Sequence, residues 1–484
     1  MLRRNLGPLQ VQLISVGGIV GSSYFLGAGS IIAMSGPLSI IAFALGGLIA
    51  WFVAMAVGEL CVAMPREGNF VSHSRELLGK PWAAGVGWSY WFNWSAYIPS
   101  EMIAGGLLLN QFYPKIPVIH WAIAFAILIT LINLINIKHF GRIESALSLL
   151  KLGAIGLFTG VALLIWGGFA GNVSILKETQ KLTPTLSTLK PQDLLSLILV
   201  MVLVLVNYQG TEIIALSSAE TENPEKNIPI AARNVAIRTL MIFVFPLIML
   251  LLIFPWTRAR GDHSIFVEAL SLHQFDTLSL IFQGIIITAA ISCANSGLYG
   301  AVRSLYGLGK EGLAPRWVTH TNSSGVPYKA TLMTIAMCWA FLPLYTLFEG
   351  TRFYTWLLSL SGFTGALCWI SITLCQILFR KSLKSSPPSP LLKSSSSLSA
   401  DSMQADLKSS YFMPGFPYLS FLSLILQIMC LSFLAVHSQF RSSFLLGIPA
   451  FLLPALIIYI RDRLIRKPLF SKEEVQYHPI LTDQ

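Results

Sequence analysis

Two polar interruptions of long apolar stretches, the first rich in glycine and the second containing Gly210, decide the fold of this chain. They read Gly17-Gly18-Ile19-Val20-Gly21-Ser22-Ser23 and Asn207-Tyr208-Gln209-Gly210-Thr211-Glu212. A helix interior normally avoids clustered glycines because each one costs backbone entropy, and an unpaired peptide group in lipid costs several kcal/mol. The two stretches therefore predict helices whose hydrogen-bond ladders are broken inside an apolar layer.

The composition indicates that this apolar layer is a membrane. Of the 484 residues, 54% are hydrophobic and 11% are charged, whereas a soluble domain has roughly 25% charged residues. The apolar residues form stretches about twenty residues long, enough for a helix to cross a hydrocarbon core of roughly 30 Å. The predicted fold class is an all-α integral membrane protein whose main solvent is the lipid bilayer.

Breaks at proline, glycine and charge clusters predict about twelve transmembrane spans. The first span lacks a small-residue cleavage site after it, so it is predicted to be a retained helix and not a signal peptide. The spans are placed at 9–34, 39–64, 84–112, 117–137, 142–169, 192–219, 236–256, 278–307, 330–348, 353–379, 416–438 and 443–461.

The placement of the basic residues predicts the orientation. With both termini in the cytoplasm, roughly two dozen Lys and Arg lie inside and about eight outside, as the positive-inside rule requires. The net charge of +11 is accounted for in this way and does not indicate a nucleic-acid partner. The expected location is the cytoplasmic (inner) membrane, with a multi-pass topology.

The chain is expected to divide into a transport core, a linker and a peripheral helix pair. The linker is rich in Ser, Pro and Lys and cannot bury enough apolar surface to fold. The boundaries are 1–379 for a ten-helix core with inverted repeats at about 9–169 and 192–379, 380–415 for the cytoplasmic linker, 416–463 for helices 11 and 12, and 464–484 for a cytoplasmic tail.

The two breaks occupy equivalent places, the first helix of each repeat, which is the pattern of a transporter site at the membrane midplane. Free N–H groups of the first break would attract a carboxylate, and free carbonyls of the second would attract an ammonium group. The expected ligand is therefore a zwitterion. The alternative is that the glycines serve only close helix packing, as small residues often do in membranes.

Ionisable residues inside the spans are the other functional candidates. A buried lysine gives up its proton readily, so Lys151 is a candidate for proton coupling, unless its side chain only extends to the cytoplasmic surface. Glu101 and Glu212 either contact substrate or accept hydrogen bonds from exposed backbone N–H groups. Glu59 is expected to anchor a helix end. The six cysteines lack ligand spacing, and neither a metal nor a cofactor is expected.

An ordered set of motifs runs along the chain, namely Gly17 to Gly27, Gly36-Pro37, Gly58-Glu59-Leu60, Gly87-Trp88-Ser89-Tyr90-Trp91, Glu220-Thr221-Glu222-Asn223-Pro224 and Asn295-Ser296-Gly297. This set resembles the amino acid permeases of the amino acid–polyamine–organocation superfamily, in its bacterial amino acid transporter branch. The resemblance implies a LeuT-like fold of 5+5 inverted repeats with discontinuous helices 1 and 6, alternating access, and uptake of an amino acid with protons, Lys151 taking the place of a coupling ion. The residues expected to bind substrate are Gly18, Gly21, Ser22, Ser23, Glu101, Tyr208, Gly210 and Glu212.

The sequence departs from the family pattern at two positions. Ser23 stands where the family usually has glycine, which restricts φ where the backbone must open. Gln209 stands where a small residue is usual and adds bulk and hydrogen-bonding groups. Both changes are expected to alter the shape of the carboxylate and amine sites.

Other functions are weighed against this one. A membrane acyl or glycosyl transferase is disfavoured because the spans lack a His-Asp pair, an acidic cluster or metal-spaced ligands. A non-transporting sensor and a channel remain alternatives, as does an exchanger that swaps amino acids. The mostly neutral surroundings of the second break favour a neutral or apolar substrate, and Glu101 keeps a cationic one open.

Overall fold

The structure, a computed structural model, describes residues 18–64, 69–135, 140–181, 191–213, 223–322, 325–347, 350–385, 411–436 and 440–466. Within these ranges the chain forms helices and no strands. In chain order the α-helices are α1 Ser22–Phe25, α2 Gly27–Ser35, α3 Ser39–Ala63, α4 Asn69–Leu77, α5 Lys80–Phe112, α6 Val118–Ile135, α7 Phe140–Trp166, α8 Val173–Lys181, α9 Pro191–Val206, α10 Pro224–Thr239, α11 Phe245–Ile253, α12 Ile265–Leu272, α13 Asp276–Lys310, α14 Tyr328–Phe341, α15 Gly350–Ser385, α16 Tyr418–Val436 and α17 Arg441–Arg466.

The all-α membrane class is confirmed. Among the described residues, eight helical segments are long and apolar enough to cross a membrane, and two shorter ones, Val118–Asn133 and Leu195–Val206, are strongly apolar. Helix α5 is 33 residues long but carries many polar and aromatic side chains. The total of about twelve spans and the inverted repeat stay predictions.

Most helix boundaries lie within a few residues of the predicted spans, and the clearest exception is the seventh. It was placed at 236–256, but α10 begins at Pro224 and continues through a π-helical turn at Leu240–Val244 into α11. Asn223, with φ of 45°, precedes Pro224 at the helix start, where a missing N–H costs no hydrogen bond. The charged segment before the apolar run is therefore helical too.

The linker is shorter at its start than predicted. Helix α15 continues to Ser385 instead of ending near residue 379, and residues 386–410 lie outside the described residues. The described residues resume at Tyr411, and the segment that begins there packs against α3 and α15. The first 17 residues and the tail after residue 466 also fall outside the described residues, so the predictions made for them stay predictions.

Helix α5 lies at the centre of the bundle, with α13, α15 and α17 packed on it. Glycines allow these close contacts. A Cβ at Gly297 of α13 would overlap the Trp94 ring, and one at Gly85 would lie 2.9 Å from the Phe451 carbonyl oxygen of α17. The last helix, predicted to be peripheral, thus packs on α5 on one side and exposes residues such as Leu453 and Ile457 on the other.

Glu59 anchors the segment that follows the linker. Its buried carboxylate accepts hydrogen bonds from Arg380 Nε at 2.5 Å, from Gln376 Nε2 at 3.1 Å and from the Met413 backbone N–H at 2.9 Å. The Arg380 guanidinium also stacks over the rings of Phe412 and Phe416. The predicted anchoring role of Glu59 therefore joins α3, α15 and the start of the α16 segment.

Replacing Arg380 by alanine should destabilise the protein strongly. Removing one partner of a buried ion pair leaves the other charge unpaired, at a cost of about 3–5 kcal/mol, whereas an exposed pair contributes about 0–1 kcal/mol. The matched control is Arg258→Ala, because Arg258 pairs with Glu178 at 2.7 Å with both side chains about 40% exposed. Thermal unfolding in detergent should show a large drop in Tm for the first variant only, and equal Tm values would contradict this account of Glu59.

The connection between α11 and α13 is fastened by His273. Its Nδ1 accepts a hydrogen bond from the Asn172 backbone N–H at 3.0 Å, and its Nε2–H donates to the Ile253 carbonyl at 2.8 Å. Both bonds require a neutral imidazole with the proton on Nε2. Burial accordingly lowers the pKa of His273 from its ordinary value.

The neutral state of His273 makes part of the stability pH-dependent. Because the folded pKa is depressed, this stability is present above the unfolded pKa of about 6.5 and is lost as the pH falls through the folded value. We expect the Tm of His273→Gln to be lower than that of the wild type at pH 7.5 and to fall less between pH 7 and 5. The control is the exposed His320, whose replacement by glutamine should leave the wild-type slope.

Candidate functional site

The first break lies at Val20 and Gly21. Residues 18 and 19 are helical, and α1 restarts the helix at Ser22 after Gly21 takes an extended conformation, with φ of −123° and ψ of −162°. The break leaves the Ser22 N–H pointing away from the ladder. This N–H donates to both carboxylate oxygens of Glu101, at 3.1 Å to Oε1 and 2.9 Å to Oε2.

The second break follows α9, which ends at Val206. Residues 207–212 form successive turns, and Gly210 has a φ of 109°, a conformation that residues with a Cβ rarely adopt. The Gly210 N–H donates to Glu212, at 3.0 Å to Oε1 and 3.1 Å to Oε2. At both polar stretches the backbone thus leaves the α-helical hydrogen-bond ladder, as the sequence predicts.

The two breaks touch each other. A Cβ at Gly210 would lie 2.9 Å from the Gly18 carbonyl carbon, and one at Gly18 would lie 2.9 Å from Ile213 Cδ1. The Gly18 carbonyl accepts a hydrogen bond from the Cys293 thiol at 3.1 Å. The approach needs glycine at position 210, because a Cβ there would lie against the backbone of Gly18.

Glu101 lies where the first break opens, and it changes the expectation for that site. The Ser22 N–H was expected to be free for a ligand, but the Glu101 carboxylate, 2% exposed, occupies it. A Cβ at Gly21 would overlap this carboxylate and approach Cys293 Sγ to 2.8 Å. Gly21 thus gives Glu101 the room to reach the backbone.

The hydroxyls of both serines at the first break are bonded to tyrosines. Ser22 Oγ lies 3.3 Å from the Tyr354 hydroxyl of α15, and Ser23 Oγ lies 2.9 Å from the Tyr97 hydroxyl of α5. Ser23 does not prevent the break; its side chain adds a tie to α5. Tyr354 and the Cys293 thiol were not singled out in the sequence, because a lone tyrosine or cysteine in an apolar helix carries no local signal.

Glu212 anchors the second break. Besides the Gly210 N–H, its carboxylate accepts hydrogen bonds from the Tyr90 hydroxyl at 2.9 Å and from Trp369 Nε1 at 3.0 Å. With protein donors on both oxygens and no exposed surface, it has the geometry of the structural alternative stated for it.

Tyr208 points away from the break. Its hydroxyl donates to the Phe43 carbonyl of α3 at 2.6 Å, and its ring packs against Phe243 with centroids 4.8 Å apart. Only its main chain lies at the break. The neighbouring Gln209 turns towards α15, where Nε2 lies 3.4 Å from the Ser361 carbonyl and 3.3 Å from the Gly362 carbonyl.

Lys151 of α7 is buried inside the protein, with a side chain 1% exposed. Its Nζ lies 4.0 Å from Glu144 Oε1 on the same helix, so the alternative of a side chain reaching to the membrane surface does not apply in this structure. Glu144 was not among the site residues predicted from the sequence. The signal was available, since residues seven apart lie on one helix face two turns from each other.

One face of α5 serves both breaks. Tyr90, Trp94, Tyr97 and Glu101 follow the spacing of a helical stripe, and all are buried. Tyr90 reaches Glu212 at the second break, whereas Tyr97 and Glu101 reach the first. Among the described residues, His, Cys, Asp and Glu do not cluster in a way that would hold a metal ion.

Backbone interruptions that meet inside a bundle of apolar helices are typical of a multi-pass membrane transport protein. Comparison with known proteins agrees, since the amino acid permease family matches residues 10–460. The chain belongs to this family of transporters and is not an enzyme.

Three relatives illustrate the breadth of that family. Over 387 residues the chain is 34% identical to amino-acid permease RocC of Bacillus subtilis (strain 168), covering 78% of this chain and 81% of the relative. It is 31% identical over 403 residues to the lysine-specific permease LysP of Escherichia coli (strain K12), with coverages of 78% and 79%. It is 31% identical over 385 residues to the aromatic amino acid transport protein AroP of Shigella flexneri, with coverages of 78% and 82%.

Substituting Gly210 by alanine should damage the site. The added Cβ meets the Gly18 carbonyl carbon and the residue is forced into a conformation that costs about 1–3 kcal/mol. We expect a lower Tm and a severe loss of uptake. The control is Gly153→Ala in α7, where an added Cβ has no atom within 4 Å and alanine favours the helix. Wild-type uptake by Gly210→Ala would contradict the contact between the breaks.

Proposed function

We propose that this permease takes up a neutral amino acid across the cytoplasmic membrane by alternating access, together with protons. This proposal rests on one observation. The Glu101 carboxylate accepts hydrogen bonds from the Ser22 N–H, beside the contact of the two breaks. A carboxylate already occupies the backbone donor that would bind the substrate's carboxylate. The site thus accepts this chemical group, and Glu101 competes with the ligand for it.

The competition gives a route to proton coupling. An ionised Glu101 accepts a charge-assisted hydrogen bond from Ser22, which is worth about 1.5–3 kcal/mol, whereas a protonated carboxyl is a weaker acceptor without charge. The substrate carboxylate replaces it more easily in that state. Proton uptake and substrate binding then favour each other, as a symporter needs.

Lys151 is the second residue of the coupling system. It lies close enough to interact electrostatically with Glu101 and it pairs with Glu144, so its charge influences both carboxylates. The resemblance implies that, in relatives that use protons, a lysine at this place of the fifth transmembrane span, here α7, replaces the coupling ion. We assign the same role to Lys151.

The described acids near the breaks favour a neutral substrate. Glu212 is engaged by Tyr90, Trp369 and Gly210, and Glu101 by Ser22. A cationic side chain would have to take one of these carboxylates from its partners. Relatives named for lysine and for aromatic amino acids are equally similar to the chain, so the preference for a neutral ligand rests on this geometry alone.

Uptake by purified protein in proteoliposomes tests this proposal. A one-unit pH gradient, acid outside, supplies about 1.4 kcal/mol per proton and should support roughly tenfold accumulation of a neutral amino acid. Lys151→Ala should bind substrate, raising Tm as ligands of the folded state do, but should not accumulate it. Uptake that ignores the pH gradient and requires internal amino acid would identify an exchanger instead.

Replacing Glu101 by glutamine imitates its protonated form. We expect substrate binding by Glu101→Gln to be stronger than that of the wild type at pH 8 and nearly independent of pH between 6 and 8, because the competing charge is absent. Isothermal titration at both pH values measures this. Binding by the variant that weakens at high pH as steeply as that of the wild type would exclude Glu101 as the competitor.

A further inference from the structure

Glu144 carries a buried carboxylate to which the proposed function assigns no proton-transfer role. It lies in the second turn of α7 and has no exposed surface. Its Oε1 accepts a short hydrogen bond from the Ser292 hydroxyl of α13. Its Oε2 is buried and has no hydrogen-bond partner among the described residues. A buried acceptor without a partner is costly, and a proton on that oxygen removes the cost of the negative charge.

The distance between Glu144 and Lys151 fits an exchange of a proton between them. Lys151 Nζ is 4.0 Å from Glu144 Oε1, about 1 Å beyond a normal N–H···O hydrogen bond. Both side chains are buried. One proton can therefore lie on Lys151, which gives an ammonium beside a carboxylate, or on Glu144, which gives a neutral amine beside a neutral acid.

Glu144 also lies on the appropriate side of Lys151. It precedes the lysine by seven residues, which places it about 10 Å nearer the start of α7. In the proposed orientation the start of α7 faces the cytoplasm. Lys151 also interacts electrostatically with Glu101, the carboxylate at the first break. Lys151 of α7 and Cys293 of α13 both interact electrostatically with the Glu144 carboxylate.

We propose that Glu144 receives the proton that Lys151 gives up and passes it to the cytoplasm. An N–H bond of the Lys151 ammonium breaks, an O–H bond forms on the Glu144 carboxylate, and both groups become neutral. The acid then transfers its proton to water on the cytoplasmic side and returns to the carboxylate. This inference rests on the proposed proton-coupled uptake, and it adds the residue through which the proton leaves.

The test compares Glu144→Gln with the wild type in two assays on the same proteoliposomes. Exchange of external for internal substrate needs no net proton movement, so Glu144→Gln should exchange at the wild-type rate. Accumulation driven by a one-unit pH gradient should fall from roughly tenfold to none, because the amide cannot take the proton. The control Ser292→Ala removes the hydrogen bond to Oε1 but keeps the carboxyl, and should keep acid-driven accumulation.

Each outcome of these assays supports or overturns a stated part of the proposal. Acid-driven accumulation by Glu144→Gln at the wild-type level overturns the role of Glu144 but leaves the proposed function standing, provided that Lys151→Ala has lost accumulation. Loss of exchange together with accumulation makes Glu144 a structural residue and also overturns the inference. A wild-type protein without acid-driven accumulation removes the proposed function itself.

A second variant applies if Glu144→Gln does not fold. Glu144→Asp keeps an ionisable carboxyl but withdraws it from Lys151 by one methylene. It should still accumulate substrate under a pH gradient, with the midpoint of its uptake–pH profile displaced from that of the wild type. A profile identical to the wild type in midpoint and height would show that the proton does not pass through this carboxyl.

Discussion

The close approach of two interrupted backbones at Gly18 and Gly210 is the constraint on which the site depends. Each interruption frees a main-chain N–H in a region without bulk water, where an unpaired donor costs several kcal/mol. The protein meets this cost with a glutamate at each break, Glu101 for the Ser22 N–H and Glu212 for the Gly210 N–H. Glycine is required at position 210, where a Cβ would lie 2.9 Å from the Gly18 carbonyl carbon.

The two glutamates solve the same problem in different ways. Glu212 accepts a hydrogen bond from the N–H of Gly210, two residues away, and further hydrogen bonds from Tyr90 and Trp369. These bonds hold it at the second break. Glu101 comes from a separate helix 79 residues away and binds the first break through one main-chain donor. This difference makes Glu212 an anchor, and it is the reason for proposing that a ligand replaces Glu101.

Helix α5 connects the two breaks. Its stripe of Tyr90, Trp94, Tyr97 and Glu101 reaches both of them, and the packing of Trp94 on Gly297 holds α5 against α13. A rotation of α5 would therefore affect both capping carboxylates together. Polar groups of α7 and α13 lie next to the first break. Cys293 of α13 donates a hydrogen bond to the Gly18 carbonyl. Its neighbour Ser292 bonds Glu144 of α7, which in turn pairs with Lys151.

The sequence by itself determined the membrane class, most helix ends and the position of both breaks, because these depend on local length, apolar content and glycine. The span predicted at 39–64 is the helix Ser39–Ala63, and the Gly210 break lies where it was expected. Only the tertiary structure decided that Glu101 covers the Ser22 N–H, that the Tyr208 side chain lies against Phe43, and that Glu144 is the neighbour of Lys151. The first two depend on how separate helices are rotated against each other. For the third, the spacing of seven residues already places Glu144 and Lys151 on one helix face, but the side-chain rotamers that bring them together depend on the surrounding helices.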